Sequence, residues 1–362
     1  MRRKFVFVLT TIVIILSVAG CADIGRRNLA SFEQNRICYD RQKEPYTFVV
    51  DAHMHSRPFG GAPVPFFELT EYFNKTGVLF VNMFGIGQLL PVKSSCTYYL
   101  DCPGTPVLPS IKNDFANAAN LLEFKPQGVQ IILAMTFMDL ADPEGIVEMI
   151  RLYDKEYPEI FKWAGEVNLV KQALFNNGHR PITKGEIDKW SEFMKLLKDR
   201  NIPITIHSDL GNNDEPTKFQ DLMAYVLQKY PDNKIVWAHM GLSKELSAMD
   251  GAEHIQIMKS FLDKNPNLML DVSWRVLDDT YFSKPAYRDL YVAFFNEYSE
   301  RILPGTDFVA SRDKDFNVYK NELEVNSNIF RYVNDEAFRN IVLGENYFRL
   351  LGLDYHAPQI CD

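Results

Sequence analysis

The sequence predicts an α/β fold, a (β/α)₈ barrel of the TIM type, from two observations. The chain has 362 residues and is 46% hydrophobic, which is enough for one large core, and barrels of about 250 residues form single domains. From Tyr46 onward, short apolar runs with β propensity alternate with longer amphipathic segments. That alternation indicates βα units around a parallel sheet that is covered on both faces.

Eight runs qualify as strands, and together they are enough to close a barrel. They cover residues 48–55, 78–84, 129–137, 163–169, 203–208, 234–239, 268–274 and 302–307. Stretches between them have the apolar spacing of helices, as in 187–197 and 219–227. One connection, 85–128, is unusually long and rich in Pro and Gly. It follows the carboxyl end of a strand, so it either forms a lid or wall of a site or packs against the side of the barrel.

The N-terminus has the pattern of an export signal. Basic residues 2–4 precede an apolar stretch, 5–18, which falls short of the ~20 residues that a permanent membrane helix needs. The residues VAGC at 18–21 resemble a bacterial lipobox, in which Cys21 is lipidated; an ordinary signal peptide with a chance Cys is the alternative. Ala22, in place of Asp, favours sorting to the outer membrane.

These features predict four segments. Residues 1–20 are a lipoprotein signal peptide, 21–45 a linker after lipidated Cys21, 46–356 the barrel and 357–362 a C-terminal tail. The protein is expected to be exported and lipid-anchored, at the outer membrane facing the periplasm or at the cell surface. The expected partners are therefore a membrane, through the anchor, and a small-molecule substrate.

The charge balance argues against nucleic acid as a partner. With 47 acidic and 39 basic residues the formal net charge is -8, and no basic patch suited to a phosphate backbone is visible. A homodimer is left open.

Four cysteines remain if Cys21 is acylated, and an even number in an exported protein fits two disulfides. Cys96 and Cys102 bracket five residues and are the favoured local pair. Cys38 and Cys361 would then join the two ends of the barrel. Four cysteines permit three connectivities, and free thiols are also compatible with the sequence.

The candidate chemistry lies at the strand ends. His53 and His55 are two residues apart on the first predicted strand, so both side chains lie on the same side. The other candidates end later strands: Glu166 near the end of the fourth, and His207, His239 and Asp307 at the ends of the fifth, sixth and eighth. In a barrel these positions converge on the C-terminal mouth.

Imidazole nitrogens and carboxylate oxygens are ligands that Zn²⁺ prefers, and a catalytic site keeps one position open for water. We expect one divalent ion, Zn²⁺ in the first instance, with a second ion allowed. The predicted ligands are His53, His55, His207 and Asp307, with Glu166 as a bridging ligand or proton carrier. His239 and Asp307 are the predicted acid and base. The alternative for each residue is structural: a histidine at the barrel rim that only makes hydrogen bonds within the protein, an aspartate that caps a helix, or a glutamate in an ion pair. His179, His254 and His356 are expected to be solvated.

With these residues, the sequence resembles the amidohydrolase superfamily, and within it the amidohydrolase-related family that includes aminocarboxymuconate-semialdehyde decarboxylase. The motifs are DAHMH at 51–55, GE at 165–166, IH at 206–207, AHMG at 238–241, GTD at 305–307 and GENYFRLLGL at 344–353. The resemblance implies a TIM-barrel metal-dependent hydrolase with one or two divalent ions. Hydrolytic members often have a carboxylated lysine on the fourth strand, where this chain has Glu166.

Three functions compete. The leading one is hydrolysis of an amide, ester or lactone. The second is a lyase, a decarboxylase or hydratase of a carboxylated substrate, for which Arg57 and Arg275 could bind carboxylates. Trp274 could stack on a substrate ring. Salt bridges by the two arginines and packing of Trp274 are the structural alternatives. The third is a lipoprotein that binds a ligand without catalysis.

Overall fold

The computed structural model describes Arg27, Leu29, Phe32 and residues 38–362. The predicted signal peptide, 1–20, and the lipidation site Cys21 lie outside the described residues. Within the described part of the chain, every helix is too short or too polar to cross a membrane.

The core of the molecule is a curled sheet of parallel strands. Along the sheet the order is β10-β9-β8-β7-β6-β5-β2-β1-β11, and β3 pairs with β4 in a separate antiparallel hairpin. The strands are β1 (Val50–His55), β2 (Phe80–Phe84), β3 (Gln88–Leu89), β4 (Leu108–Pro109), β5 (Gln130–Met135), β6 (Phe161–Val170), β7 (Ile204–Ser208), β8 (Ile235–Trp237), β9 (Leu268–Asp271), β10 (Ile302–Leu303) and β11 (Phe308–Val309). Each predicted strand overlaps an observed one, and the predicted α/β barrel class is confirmed.

The predicted eighth strand, 302–307, is interrupted. Its two halves are β10, which pairs with β9, and β11, which pairs with β1. Pro304 has no N–H to donate and Asp307 has a left-handed backbone (φ 52°), so regular pairing stops between the halves. The sheet nevertheless closes here, because the Ala52 N–H donates to Pro304 O (3.0 Å) and the Asp307 N–H donates to His53 O (2.7 Å).

Helices lie between the strands and pack their apolar faces on the sheet. Within residues 38–362 the α-helices are Phe66–Thr76, Lys112–Phe124, Ile146–Glu156, Lys184–Ile187, Ser191–Asp199, Gln220–Lys229, Gly251–Lys264, Pro285–Glu297, Phe316–Ser327, Asp335–Ala337 and Glu345–Leu351. The helix Ser191–Asp199 shows the principle: Phe193, Met194 and Leu197 are buried while its charged residues face outward. This arrangement leaves the carboxyl ends of the strands to carry function.

The long connection after β2 forms a compact cover on the barrel. It contains the β3–β4 hairpin, a 3₁₀ turn at Tyr99–Asp101 and the helix Lys112–Phe124. A separate apolar cluster lies beneath it, formed by Phe59, Ile86, Leu89, Leu90, Tyr99 and Leu174. The cover is therefore held to the loop after β1 and to the segment after β6.

Among the described residues two disulfides are present, with the connectivity that the sequence favoured. Cys96 is bonded to Cys102 within the cover, and Cys38 is bonded to Cys361. Beside the second bond, Tyr39 is buried and its N–H donates to Gln359 O (2.7 Å). The beginning and end of the described chain are thus joined at one place.

Candidate active site

Four histidines at the barrel mouth each have one ring nitrogen fixed by a neighbour. The partners are Asp271 for His53 Nδ1 (2.5 Å), Gly85 O for His55 Nδ1 (2.7 Å), Asp209 for His207 Nε2 (2.9 Å) and Ser273 Oγ for His239 Nδ1 (3.0 Å). All four rings are buried. Because one nitrogen of each ring is held by an outer partner, the other is directed to the centre, as in proteins that hold metal ions with histidine.

The first group of inward atoms comes from β1, β6 and the eighth-strand region. His53 Nε2 lies 3.3 Å from His55 Nε2. Asp307 Oδ1 is 3.6 Å from His53 Nε2 and 3.2 Å from His55 Nε2, and Glu166 Oε2 is 3.7 and 3.2 Å from the same two nitrogens. Ligands about 2.0–2.1 Å from a tetrahedral ion are ~3.3 Å apart, so the spacing of this donor set fits a divalent cation.

A second group lies on the other side of Glu166. Its Oε1 is 2.5 Å from His207 Nδ1 and 3.8 Å from His239 Nε2. These three residues also bring ligand atoms close enough to share an ion. Glu166 therefore connects the two groups. His207 does not lie in the same group as His53, His55 and Asp307, as the sequence interpretation had placed it, but across Glu166 from them.

The electrostatics of the site favour a cation. Burial alone would lower the pKa of His53, but Asp271, Glu166 and Asp307 raise it well above its ordinary value. Burial likewise opposes the charged form of His55, and Asp307 and Glu166 raise its pKa. Three carboxylates around these rings create a negative potential that a bound divalent ion would neutralise.

Several site residues have left-handed backbones, which side chains other than Gly rarely adopt. His239, Trp274 and Asp307 have φ values of 55°, 70° and 52°. Each follows the end of a strand and turns its side chain over the barrel mouth. Strain of this kind concentrates at functional sites, where the surrounding structure maintains it.

A cavity of about 860 Å³ opens beside Asp307. Thr97, Tyr98 and Asp101 of the cover line it, so part of the long connection forms a wall of this cavity. Trp274 lines it too, with its ring edge-to-face against His239 at 5.1 Å between centroids. The space is large enough for a small organic molecule.

The two predicted carboxylate-binding arginines behave differently. Arg275 lines the cavity, but it already pairs with Asp279 (3.2 Å) and Glu322 (3.5 Å). Arg57 does not line this cavity; it lies in a separate pocket beneath the cover. The structure therefore does not bring both arginines into the mouth beside Asp307.

Sequence reasoning missed three charged residues of the site. Asp271 was hidden because the predicted seventh strand ran on to 274, whereas β9 ends at Asp271. Lys171 follows β6 directly, and its Nζ lies 3.0 Å from Glu166 Oε1. Asp209, two residues after His207, was also overlooked. The strand-end rule would have found Asp271 and Lys171 had the strand boundaries been placed correctly.

The prediction that His254 is solvated was wrong. His254 is fully buried, its Nδ1 lies 2.6 Å from Tyr291 Oη, and its Nε2 lies 2.9 Å from Met240 O. The helix Gly251–Lys264 turns this residue inward, among rings that the helix's polar sequence did not reveal. His179 is half-buried and its Nε2 accepts from the Lys171 N–H, whereas His356 is exposed as expected.

A protein-family model matches the part of the chain that contains four of the candidate residues at the strand ends. The model of the amidohydrolase family matches residues 113–353. The chain belongs to the amidohydrolase family. The match spans Glu166, His207, His239 and Asp307, and His53 and His55 lie ahead of it in the chain. Among curated proteins, none matches the sequence.

Solved structures share the fold at low identity. An amidohydrolase from Burkholderia multivorans with bound zinc is 9% identical, with a TM-score of 0.51 over 84% of this chain and 99% of its own. A dihydroorotase from Campylobacter jejuni is 14% identical, with a TM-score of 0.51 over 84% and 83%. At these identities the likeness extends to the fold alone.

Proposed function

We propose that this amidohydrolase hydrolyses an amide, ester or lactone of a small organic substrate, using one Zn²⁺ ion. The single observation that carries the proposal is the set of inward donor atoms from His53, His55, Glu166 and Asp307: the two histidine nitrogens are 3.3 Å apart, and each carboxylate places an oxygen 3.2–3.7 Å from both of them. Family membership supports a metal-dependent reaction. When bound, the ion would lower the pKa of water and polarise a carbonyl group.

The count of one ion rests on Lys171. Its ammonium group lies 3.0 Å from Glu166 Oε1, the oxygen that faces His207 and His239. A second cation there would meet this positive charge at short range in a buried site. On that side of Glu166, Lys171 thus already supplies part of the positive charge that a second ion would supply.

The remaining residues carry out proton transfer and positioning. Asp307 lines the cavity and acts as the base that accepts a proton from the attacking water. His239 Nε2 faces the site while Ser273 holds Nδ1, so His239 orients the substrate carbonyl or donates to the leaving group. Trp274 forms the adjoining wall, where it excludes water and contacts the substrate.

The lyase alternative requires carboxylate-binding cations in the mouth. Arg275 is occupied by Asp279 and Glu322, and Arg57 lies in another pocket. These placements remove the two arginines on which the lyase alternative was based, although Lys244, Arg312 and Lys314 also line the cavity beside Asp307.

The test is a panel of esters, lactones, amides and carboxylated aromatics, offered to zinc-loaded protein in H₂¹⁸O. We expect turnover of a hydrolysable substrate with ¹⁸O in the new acid. The His239→Asn variant should lose about 10²–10⁴-fold in kcat, while the exposed tail variant His356→Asn keeps full activity. Release of CO₂ from a carboxylated aromatic, with no hydrolysis, would replace the hydrolase proposal with the lyase.

We also propose that the protein is lipid-anchored through Cys21 and exported, as the N-terminal pattern predicts. The two disulfides, which an oxidising compartment permits, support this placement. Labelling of cells with a palmitate analogue tests it. We expect label in the wild type and none in the Cys21→Ser variant; an unlabelled wild type would contradict the proposal.

A further inference from the structure

A second pocket, of about 280 Å³, lies beneath the cover and is separate from the cavity beside Asp307. We call it the Arg57 pocket; Arg57, Leu90, Ser94, Cys96, Lys112 and Asn113 are among its lining residues. Phe59, Gly60 and Gly61 line both spaces and form the partition between them. A Cβ at Gly60 would lie 2.9 Å from Cys96 O. The partition therefore lies so close to the cover at this point that only glycine fits without a shift of the backbone.

The charges of this pocket are of one sign. Arg57 and Lys112 line it, and no Asp or Glu is among the lining residues that the structure describes. Among the same described residues, neither cation has an ion-pair or hydrogen-bond partner for its side chain. A half-buried guanidinium without a counter-ion is unusual, because buried charges are normally paired.

Two further features suit an anion. The helix Lys112–Phe124 begins at the pocket; the Lys112 N–H donates to Ser110 Oγ (3.2 Å), and Ile111 provides no side-chain cap for the N–H groups that follow. Asn113 is buried in the wall, and no described group accepts a hydrogen bond from its Nδ2. The one acidic residue of that first turn, Asp114, is engaged elsewhere, by the N–H and hydroxyl of Thr136 (2.6 Å each).

We propose that the Arg57 pocket binds a small oxyanion, a phosphate, sulfate or carboxylate group, between the Arg57 guanidinium and the Lys112 ammonium. Arginine binds such groups with two parallel hydrogen bonds, and a volume of about 280 Å³ has room for the anionic group. Burial lowers the pKa of Arg57, but guanidinium remains charged at neutral pH, so the pocket keeps its positive sign.

The test is calorimetric titration of zinc-loaded protein with inorganic phosphate. We expect the phosphate affinity to fall roughly 10- to 100-fold in Arg57→Met. Arg151→Met is the matched control: Arg151 lines neither space and pairs with Glu148 on the surface, so its loss should leave the affinity unchanged. Phosphate bound at the metal persists in both variants. Equal affinity in Arg57→Met and wild type would overturn the proposal.

Lys112→Met decides the matter if Arg57→Met fails to fold, since Lys112 is exposed and its replacement leaves the core intact. Weaker phosphate binding supports the site, and unchanged binding refutes it. With a substrate from the panel, a competitive inhibition by phosphate that weakens in Arg57→Met would assign the pocket to the anionic end of the substrate, and a non-competitive inhibition that weakens in Arg57→Met would assign it to a free anion. The binding measurement needs no turnover, so its outcome is independent of the proposed reaction.

Discussion

Asp271 fixes the orientation of His53, and through it the geometry of the candidate metal site. Its Oδ2 binds His53 Nδ1 and its Oδ1 accepts from the Ser273 N–H (2.6 Å), so the carboxylate is itself held in place. The same carboxylate also sets the charge of the ring, since it contributes to the raised pKa of His53. An outer partner of this kind keeps Nε2 available to an ion.

We predict that Asp271→Asn weakens Zn²⁺ binding by about 10- to 100-fold, because the ring loses its charged partner and its fixed tautomer. Competition with a zinc chelator measures the change. Asp279→Asn, an exposed change eight residues later that removes a partner of Arg275, serves as the control and should bind zinc normally. Unaltered affinity in Asp271→Asn would show that the carboxylate does not support the site.

Which site residues can be predicted from sequence depends on where strands end. His53, His55, His207, His239 and Asp307 were found because each ends an apolar run that is easy to recognise. Asp271 and Lys171 were missed because their strands end one to three residues away from the predicted boundaries. His254 was misjudged since the inward face of a polar helix depends on packing that local sequence does not encode.

At the scale of elements, the short helix Lys184–Ile187 has the most clearly defined cap. Thr183 accepts from the Glu186 N–H, and the Glu186 carboxylate accepts from the Thr183 N–H (2.8 Å). Arg180 forms an ion pair with the same carboxylate. These contacts hold the turn that leads from β6 to the helix Ser191–Asp199.

We predict a pH-dependent contribution from this cap. The Arg180 guanidinium and the Thr183 hydrogen bonds lower the pKa of Glu186 to about 2. Burial of the carboxylate opposes this shift but is outweighed. An unfolded glutamate titrates near 4.5, so the stabilisation is complete above that pH and is lost as the pH falls toward 2. Glu186→Gln should lower the free energy of unfolding by about 1 kcal/mol near neutral pH and by less near pH 3.

Urea denaturation at both pH values measures the effect, with Glu192→Gln on the following helix as the control. Glu192 is exposed and, among the described residues, has no ion pair. A loss in Glu186→Gln that is as large near pH 3 as near neutrality would contradict the assignment of the lowered pKa.

The order of the elements was predictable, but their interruptions were not. Alternation of apolar and amphipathic segments determines all eight strand positions, because strands buried on both faces must be apolar. The break between β10 and β11 depends on the left-handed backbone of Asp307, and the β3–β4 hairpin on two-residue strands. Such short or strained features leave little periodic signal.

For the whole molecule, the two disulfides differ in the length of chain that they close. Cys38 and Cys361 are 323 residues apart, and Cys96 and Cys102 are six apart. A cross-link restricts the unfolded chain more when the loop is longer. The Cys38–Cys361 bond therefore stabilises the fold as a whole, whereas Cys96–Cys102 shapes the cover locally.

We predict that a Cys38→Ser/Cys361→Ser double variant loses about 2–4 kcal/mol in the free energy of unfolding. The Cys96→Ser/Cys102→Ser double variant should lose less, and it serves as the matched comparison. Guanidinium denaturation of both purified variants gives the two values. A larger loss in the Cys96/Cys102 variant would mean that loop closure does not govern the stability of this molecule.

The metal content of the purified protein shows whether side chains from distant strands hold one divalent ion together. We expect about one zinc per chain in wild-type protein equilibrated with zinc, the same in the exposed His356→Ala control, and none in a folded His53→Ala/Asp307→Asn variant. Zinc absent from the wild type, or retained in full by the folded double variant, would contradict the account.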